Sequence, residues 1–128
     1  MGLQDRVRAA ANDDQLPCVW AHDLPSKWRM TPEALGTVAK EVGIRITRCQ
    51  MGLFGYGSKG TFSYRVVQAV AHVPEDLTAE VQAALVDGRL PCRAAWALAR
   101  RHGLTYRQMG DVLEALGLKV KPCQLGQF

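Results

Sequence analysis

The amino-acid sequence predicts an α+β chain, mainly helical, made of two tandem copies of one small unit. Three observations carry this. The stretch "CQMGLF" at residues 49–54 returns as "CQLGQF" at residues 123–128. The match extends upstream at the same offset of 74 without a gap, and residues 3–54 set against 77–128 agree at 18 of 52 positions. Apolar residues in both copies first recur at helical spacing and then alternate, which is the order helix, helix, helix, strand.

The elements follow in order. In the second copy a helix begins near Pro74, since proline suits a first turn, and Gly88 is expected to stop it. A second helix follows "LPC", with Pro91 in its first turn and Gly103 as its C-terminal stop. The third carries Thr105 and Gln108 in the T-x-x-Q spacing of a capping box. Its apolar stripe is Met109, Val112, Leu113 and Leu116, and Gly117 ends it. "LKVKPCQ" then alternates as a strand.

The first copy repeats the plan. Thr31 and Pro32 cap a helix whose stripe is Leu35, Val38, Ala39 and Val42, Gly43 stops it, and "IRITRCQ" is the strand. The Gly-rich "GYGSKG" reads as a hairpin turn leading to a return strand through Phe62, Tyr64 and Val66. The second copy has the corresponding first strand and no return strand. The expected units are therefore 1–73, with a hairpin, and 74–128, with a single strand. Units of about this size bury little core alone, so the two should pack on each other or on a second chain. The open edge of the last strand predicts a homodimer.

Three helices followed by a hairpin is a winged-helix plan, and "LARRHGLTYRQMGDVLEALG" resembles a helix-turn-helix DNA-binding motif. Ala99 matches the small residue where the two helices touch, Gly103 the turn, Leu104 its buried position, and Met109 and Val112 the inner face of the recognition helix. The fold class expected is thus two tandem winged-helix-like repeats. The motif weakens in the first copy, where Pro25 and Arg29 stand at the Ala99 and Gly103 positions. A proline there predicts a shortened or kinked second helix.

The resemblance implies a small DNA-binding regulator that reads duplex with the helix over 105–116. Thr105, Tyr106, Arg107 and Gln108 would begin that helix, where side chains reach base edges. Arg107 would suit guanine and Gln108 adenine. Arg93, Arg100, Arg101, Lys119 and Lys121 would serve as phosphate contacts, and Lys59 as a contact from the wing tip. Other observations favour a protein-interaction or assembly module on the same scaffold. Asp111 and Glu114 lie on the outward face of the reading helix, and Gln108 is also the capping residue.

The four cysteines, Cys18, Cys49, Cys92 and Cys123, recur in pairs, one after Leu-Pro at a helix start and one before Gln-x-Gly-x-Phe. Three readings stay open. They are small buried hydrophobes, a four-thiolate zinc or iron–sulfur site shared by the copies, or a redox-sensing pair. Exposed N–H groups at a helix start lower a thiol pKa, which marks Cys18 and Cys92 as the more reactive pair. Any of the last two readings would make the protein a sensor.

The net charge of +4 over 128 residues is compatible with a polyanionic partner. Residues 77–128 carry most of it, at +3, so the surplus lies with the better motif. The start of the chain has no apolar leader and no stretch reaches membrane-spanning length, so a soluble, cytoplasmic protein is expected. His22, His72 and His102 belong to no catalytic constellation, and Trp20, Trp28 and Trp96 read as core or inter-copy contacts. An enzyme is not expected.

Overall fold

The computed structural model describes residues 2–56 and 65–127. Its elements run α1 (Leu3–Ala10), β1 (Gln15–Pro17), α2 (Cys18–Lys27), α3 (Pro32–Glu41), β2 (Arg45–Thr47), α4 (Glu75–Ala84), α5 (Cys92–Arg101) and α6 (Tyr106–Leu116). The protein is α+β and mainly helical. No helix among the described residues is long and apolar enough to cross a membrane.

The repeat is visible in the backbone. Asn12 and Gln15 form an antiparallel bridge, as do Val86 and Arg89, their counterparts 74 residues on. β1 and β2 pair in parallel with Leu16 opposite Ile46, and Leu90 bridges Val120 in parallel at the equivalent place. The strand after each third helix therefore pairs with the segment before the second helix of its own copy. The return strand expected through Phe62 and Tyr64 lies outside the described residues, and Val66 donates its N–H to the Gly52 carbonyl (3.0 Å).

The last strand is paired along one side, with the segment before α5. Leu90 donates to Lys119, Lys121 donates to Leu90, and Cys92 donates to Pro122, at 2.9, 2.9 and 3.0 Å. One side of the last strand is therefore paired within its own copy.

Capping follows the sequence closely. Thr105 accepts from the Gln108 N–H while the Gln108 side chain accepts from the Thr105 N–H, a complete capping box. Thr31 accepts from Ala34 with Pro32 in the first turn. Gly117 takes the left-handed conformation (φ +67°) that lets the chain leave α6. Two expectations need correcting. α4 ends at Ala84, well before Gly88, because Asp87 and Gly88 (φ +52° and +76°) are spent on the tight turn that joins Val86 to Arg89. α2 is not shortened by Pro25, since it spans 10 residues, as α5 does. Pro25 sits in its last turn, where few backbone bonds depend on it, and Arg29 adopts φ +54° where Gly103 has +68°.

Two hydrophobic cores form, and each is completed by the other copy. The core around Leu77, Val81, Leu90, Ala95, Ala99, Met109 and Leu113 contains Cys49 and Met51. The core around Val7, Leu16, Ala21, Leu35, Ala39 and Ile46 contains Cys123 and Leu125. The two Cys-Gln-x-Gly segments have thus changed places. Each runs across a helical glycine, Met51 across Gly110 in α6 and Leu125 across Gly36 in α3. A β-carbon on Gly36 would lie 2.8 Å from the Leu125 carbonyl carbon, and one on Gly110 would lie 2.9 Å from that of Met51. Neither distance is a permitted contact, so glycine is what lets the segments pass.

Candidate nucleic-acid interface

The exchange of segments places residues of both copies around one open groove of about 580 Å³. The start of α2 contributes Pro17 and Val19, and the crossing segment contributes Arg48, Gln50 and Tyr56. The turn between α5 and α6 supplies Arg100, Leu104, Thr105, Tyr106 and Arg107. Among the described residues, three arginines line the groove and no carboxylate does.

Each side chain is held by a local cause. Tyr106 stacks on Trp96 of α5, with ring centroids 4.1 Å apart and planes within 10°. Its hydroxyl accepts from Arg100 Nη1 at 3.0 Å, which turns that guanidinium along the groove wall. The Tyr56 hydroxyl donates to the Cys49 carbonyl (2.6 Å) and pins the crossing segment. Burial pushes the Tyr56 hydroxyl pKa up. Arg48 is exposed and has no carboxylate partner among the described residues.

Arg107 is the most constrained. Its side chain lies over Gly52, in the space a β-carbon there would need. It donates to the Val66 carbonyl, sits 3.6 Å from Asp111, and keeps a buried Nε with no hydrogen-bond partner. Residues 65–68 lie along the outward face of α6. The Gln68 N–H donates to Asp111 (2.9 Å), Arg65 pairs with Glu114, and Val67 reaches Gly110. The carboxylates on that face, which look foreign to a DNA reader, hold the protein's own chain.

The residues expected from the sequence therefore divide. Thr105, Tyr106, Arg107 and Arg100 come together in the groove. Gln108 lines no part of it and is engaged in the cap. Arg93 pairs with Glu33 of the other copy at 3.3 Å. Arg101 pairs with Glu80 of α4, as does His102, and both hydrogen bonds hold the Glu80 carboxyl below its usual range, His102 most strongly. Lys119 and Lys121 border a separate cleft. Lys59 lies outside the described residues. Arg48, Gln50 and Tyr56 were not singled out by the sequence, since they reach the groove only because their segment crosses to the other copy.

The equivalent place on the opposite seam carries different charges. There Arg93 and Glu33 close on each other. Here their counterparts at an offset of 74 are Val19 and Arg107, so the cation has no carboxylate across the seam.

The cysteines do not behave as helix-start thiols. All four are buried and reduced. Burial pushes Cys18 up to about 12 and Cys92 up to about 11, and it raises Cys49. Burial thus outweighs the lowering by hydrogen bonds and the helix start, and the expected reactivity of Cys18 and Cys92 is corrected. Amides from Gln50 and Gln124 approach Cys18 and Cys92 at 3.9 and 3.4 Å, and the Leu125 N–H donates to Cys123 Sγ at 3.4 Å. Among the described residues, no three His, Cys, Asp or Glu side chains are arranged to hold a metal ion.

No family model, no curated protein and no solved structure matches this chain, so its functional reading rests on the groove and on the residues that line it.

Proposed function

We propose that this protein is a small DNA-binding regulator of winged-helix-like design that takes duplex DNA at the groove beside the start of α6. One observation carries the reading, the convergence of Arg48, Arg100 and Arg107 from both copies around a groove that no carboxylate lines. Phosphate oxygens are the partners such a surface selects, and the capped start of α6 adds its dipole to the attraction. Thr105 and Tyr106 supply hydroxyl groups at the same edge. Arg100 and Arg48 are the phosphate contacts, and Arg107, fixed over Gly52, sets the register.

The test is fluorescence anisotropy of a labelled duplex over a range of salt. Affinity is expected to fall steeply with salt, and Arg48→Ala or Arg100→Ala should each reduce the slope by about 1. Affinity that is indifferent to salt and to both substitutions would rule out the groove as a phosphate site.

A second reading, a protein-interaction module, draws on two observations. The outward carboxylates of α6 hold residues 65–68 as they would hold a partner's extended segment. Val19 and Trp20, exposed at 52% and 51%, present apolar surface at the start of α2. Loss of a partner protein on Trp20→Ala with DNA affinity intact would favour it.

A further inference from the structure

Lys119 and Lys121 border a second cleft, of about 390 Å³, that shares no lining residue with the groove. Its floor is apolar, formed by Leu53, Phe54, Leu118 and Val120, and its rim carries Arg65, Arg89, Lys119 and Lys121. Among the described residues no carboxylate lines it. Among the described residues Arg89, Lys119 and Lys121 form no ion pair, whereas Arg65 is shared with Glu114.

The repeat supplies an internal comparison. The equivalent hollow of the first copy is lined by Lys40, Gly43, Ile44, Arg45 and Gln127 and measures about 270 Å³. There Gln127 stands where the second copy has Leu53, and Gln15 and Thr47 stand where it has Arg89 and Lys121. The fold makes the hollow twice, both carry cations, and the one in the second copy adds Arg89 and Lys121 and has the larger apolar floor.

We propose that this cleft binds a small amphipathic organic anion, an apolar body that ends in a carboxylate or a phosphate monoester, as an effector. The apolar body fills the floor, where burial drives binding, and the anionic end meets Arg89, Lys119 and Lys121. The site is wired to the groove. An anion at the rim competes with Glu114 for the Arg65 guanidinium, and Arg65 begins the segment that lies along α6. That segment accepts from Arg107 at Val66 and donates to Gly52, next to Leu53 of the floor. Occupancy therefore loosens residues 65–68 from α6 and frees Arg107. Only this last consequence rests on the reading of the groove as a DNA site.

The experiment is a titration of the isotope-labelled full chain followed by amide chemical shifts, with octanoate, octanol and inorganic phosphate as probes. Octanoate is expected to give saturable shifts centred on Leu53, Arg89 and residues 118–121. Octanol and phosphate, each with half of the chemistry, should bind at least about tenfold more weakly. A K119Q/K121Q double variant should weaken octanoate by about tenfold or more with an unchanged melting temperature, since both side chains are exposed. Shifts that fail to saturate, octanol equal to octanoate, or full affinity in the double variant would each overturn the site. Octanoate bound at the cleft with duplex affinity unchanged would overturn the coupling and leave the site standing. A failure to bind duplex at all would touch neither result in the titration.

Discussion

His22 stacks against Trp96, its own counterpart 74 residues later, with ring centroids 4.3 Å apart and planes inclined by 45°. Equivalent positions touch each other only on a twofold axis, so this contact marks the axis that relates the two copies. Around it the Cys-Gln-x-Gly segments cross, and one chain acquires the interface of a swapped dimer. Trp96 packs against both cores, which makes it the hinge of the arrangement.

The same contact gives a pH dependence. Burial pushes the His22 imidazole down to about 4 from its ordinary 6.5, against a small opposing effect of Glu33. The folded state disfavours the proton, so this contribution to stability is complete above about pH 6.5 and fades as pH falls from there to about 4. Chemical denaturation at a series of pH values should show that slope, and His22→Gln should flatten it.

The thiols predict the opposite limb. Cys18 and Cys92 have folded values of about 12 and about 11, above their ordinary 9.0, so the folded state holds their protons longer than the unfolded chain does. Their contribution is full below about pH 9 and is lost as pH rises through about 11 to 12. Iodoacetamide at pH 8 should therefore label neither thiol rapidly until denaturant is added. Fast labelling of Cys18 in the native protein would contradict the burial described above.

Gly36 and Gly110 should not tolerate a methyl group. At an open helix position Gly→Ala gains up to about 1 kcal/mol. At these two a β-carbon meets the backbone carbonyl of Leu125 or Met51, which cannot swing away as a flexible side chain would. Each substitution is expected to cost about 1–3 kcal/mol net in urea unfolding.

Since each core is finished by the other copy, the connection between them is dispensable once the fold has formed. A protease site inserted at the exposed Ala71 and His72 should, after cleavage, leave two fragments that co-elute in native gel filtration and separate in denaturant. Fragments that part without denaturant would show that the cores do not depend on the exchange.

The cap of α6 is the simplest energetic test. Thr105→Ala removes the acceptor for the Gln108 N–H and half of the capping box, at an expected cost of about 1 kcal/mol. Thermal unfolding measures it, and Thr105→Ser should restore most of the loss.

The sequence by itself determined the repeat, the order of the helices and the caps of α3 and α6, because these rest on local chemistry. Thr105 with Gln108, Gly117 after Leu116, and the stripe of Met109, Val112 and Leu113 are all legible within one turn or two of helix. Part of the candidate site was legible for the same reason, since Thr105, Tyr106 and Arg107 are adjacent in the chain. Only the tertiary structure decided which core each Cys-Gln-x-Gly segment enters. Two copies with the same pattern offer each segment the same two cores, so local spacing cannot distinguish docking at home from docking across the axis. The crossing brings Arg48 and Tyr56 to the groove, buries all four thiols and gives Gly36 and Gly110 their reason. Those are contacts between residues far apart in the chain, and the fold alone brings them together.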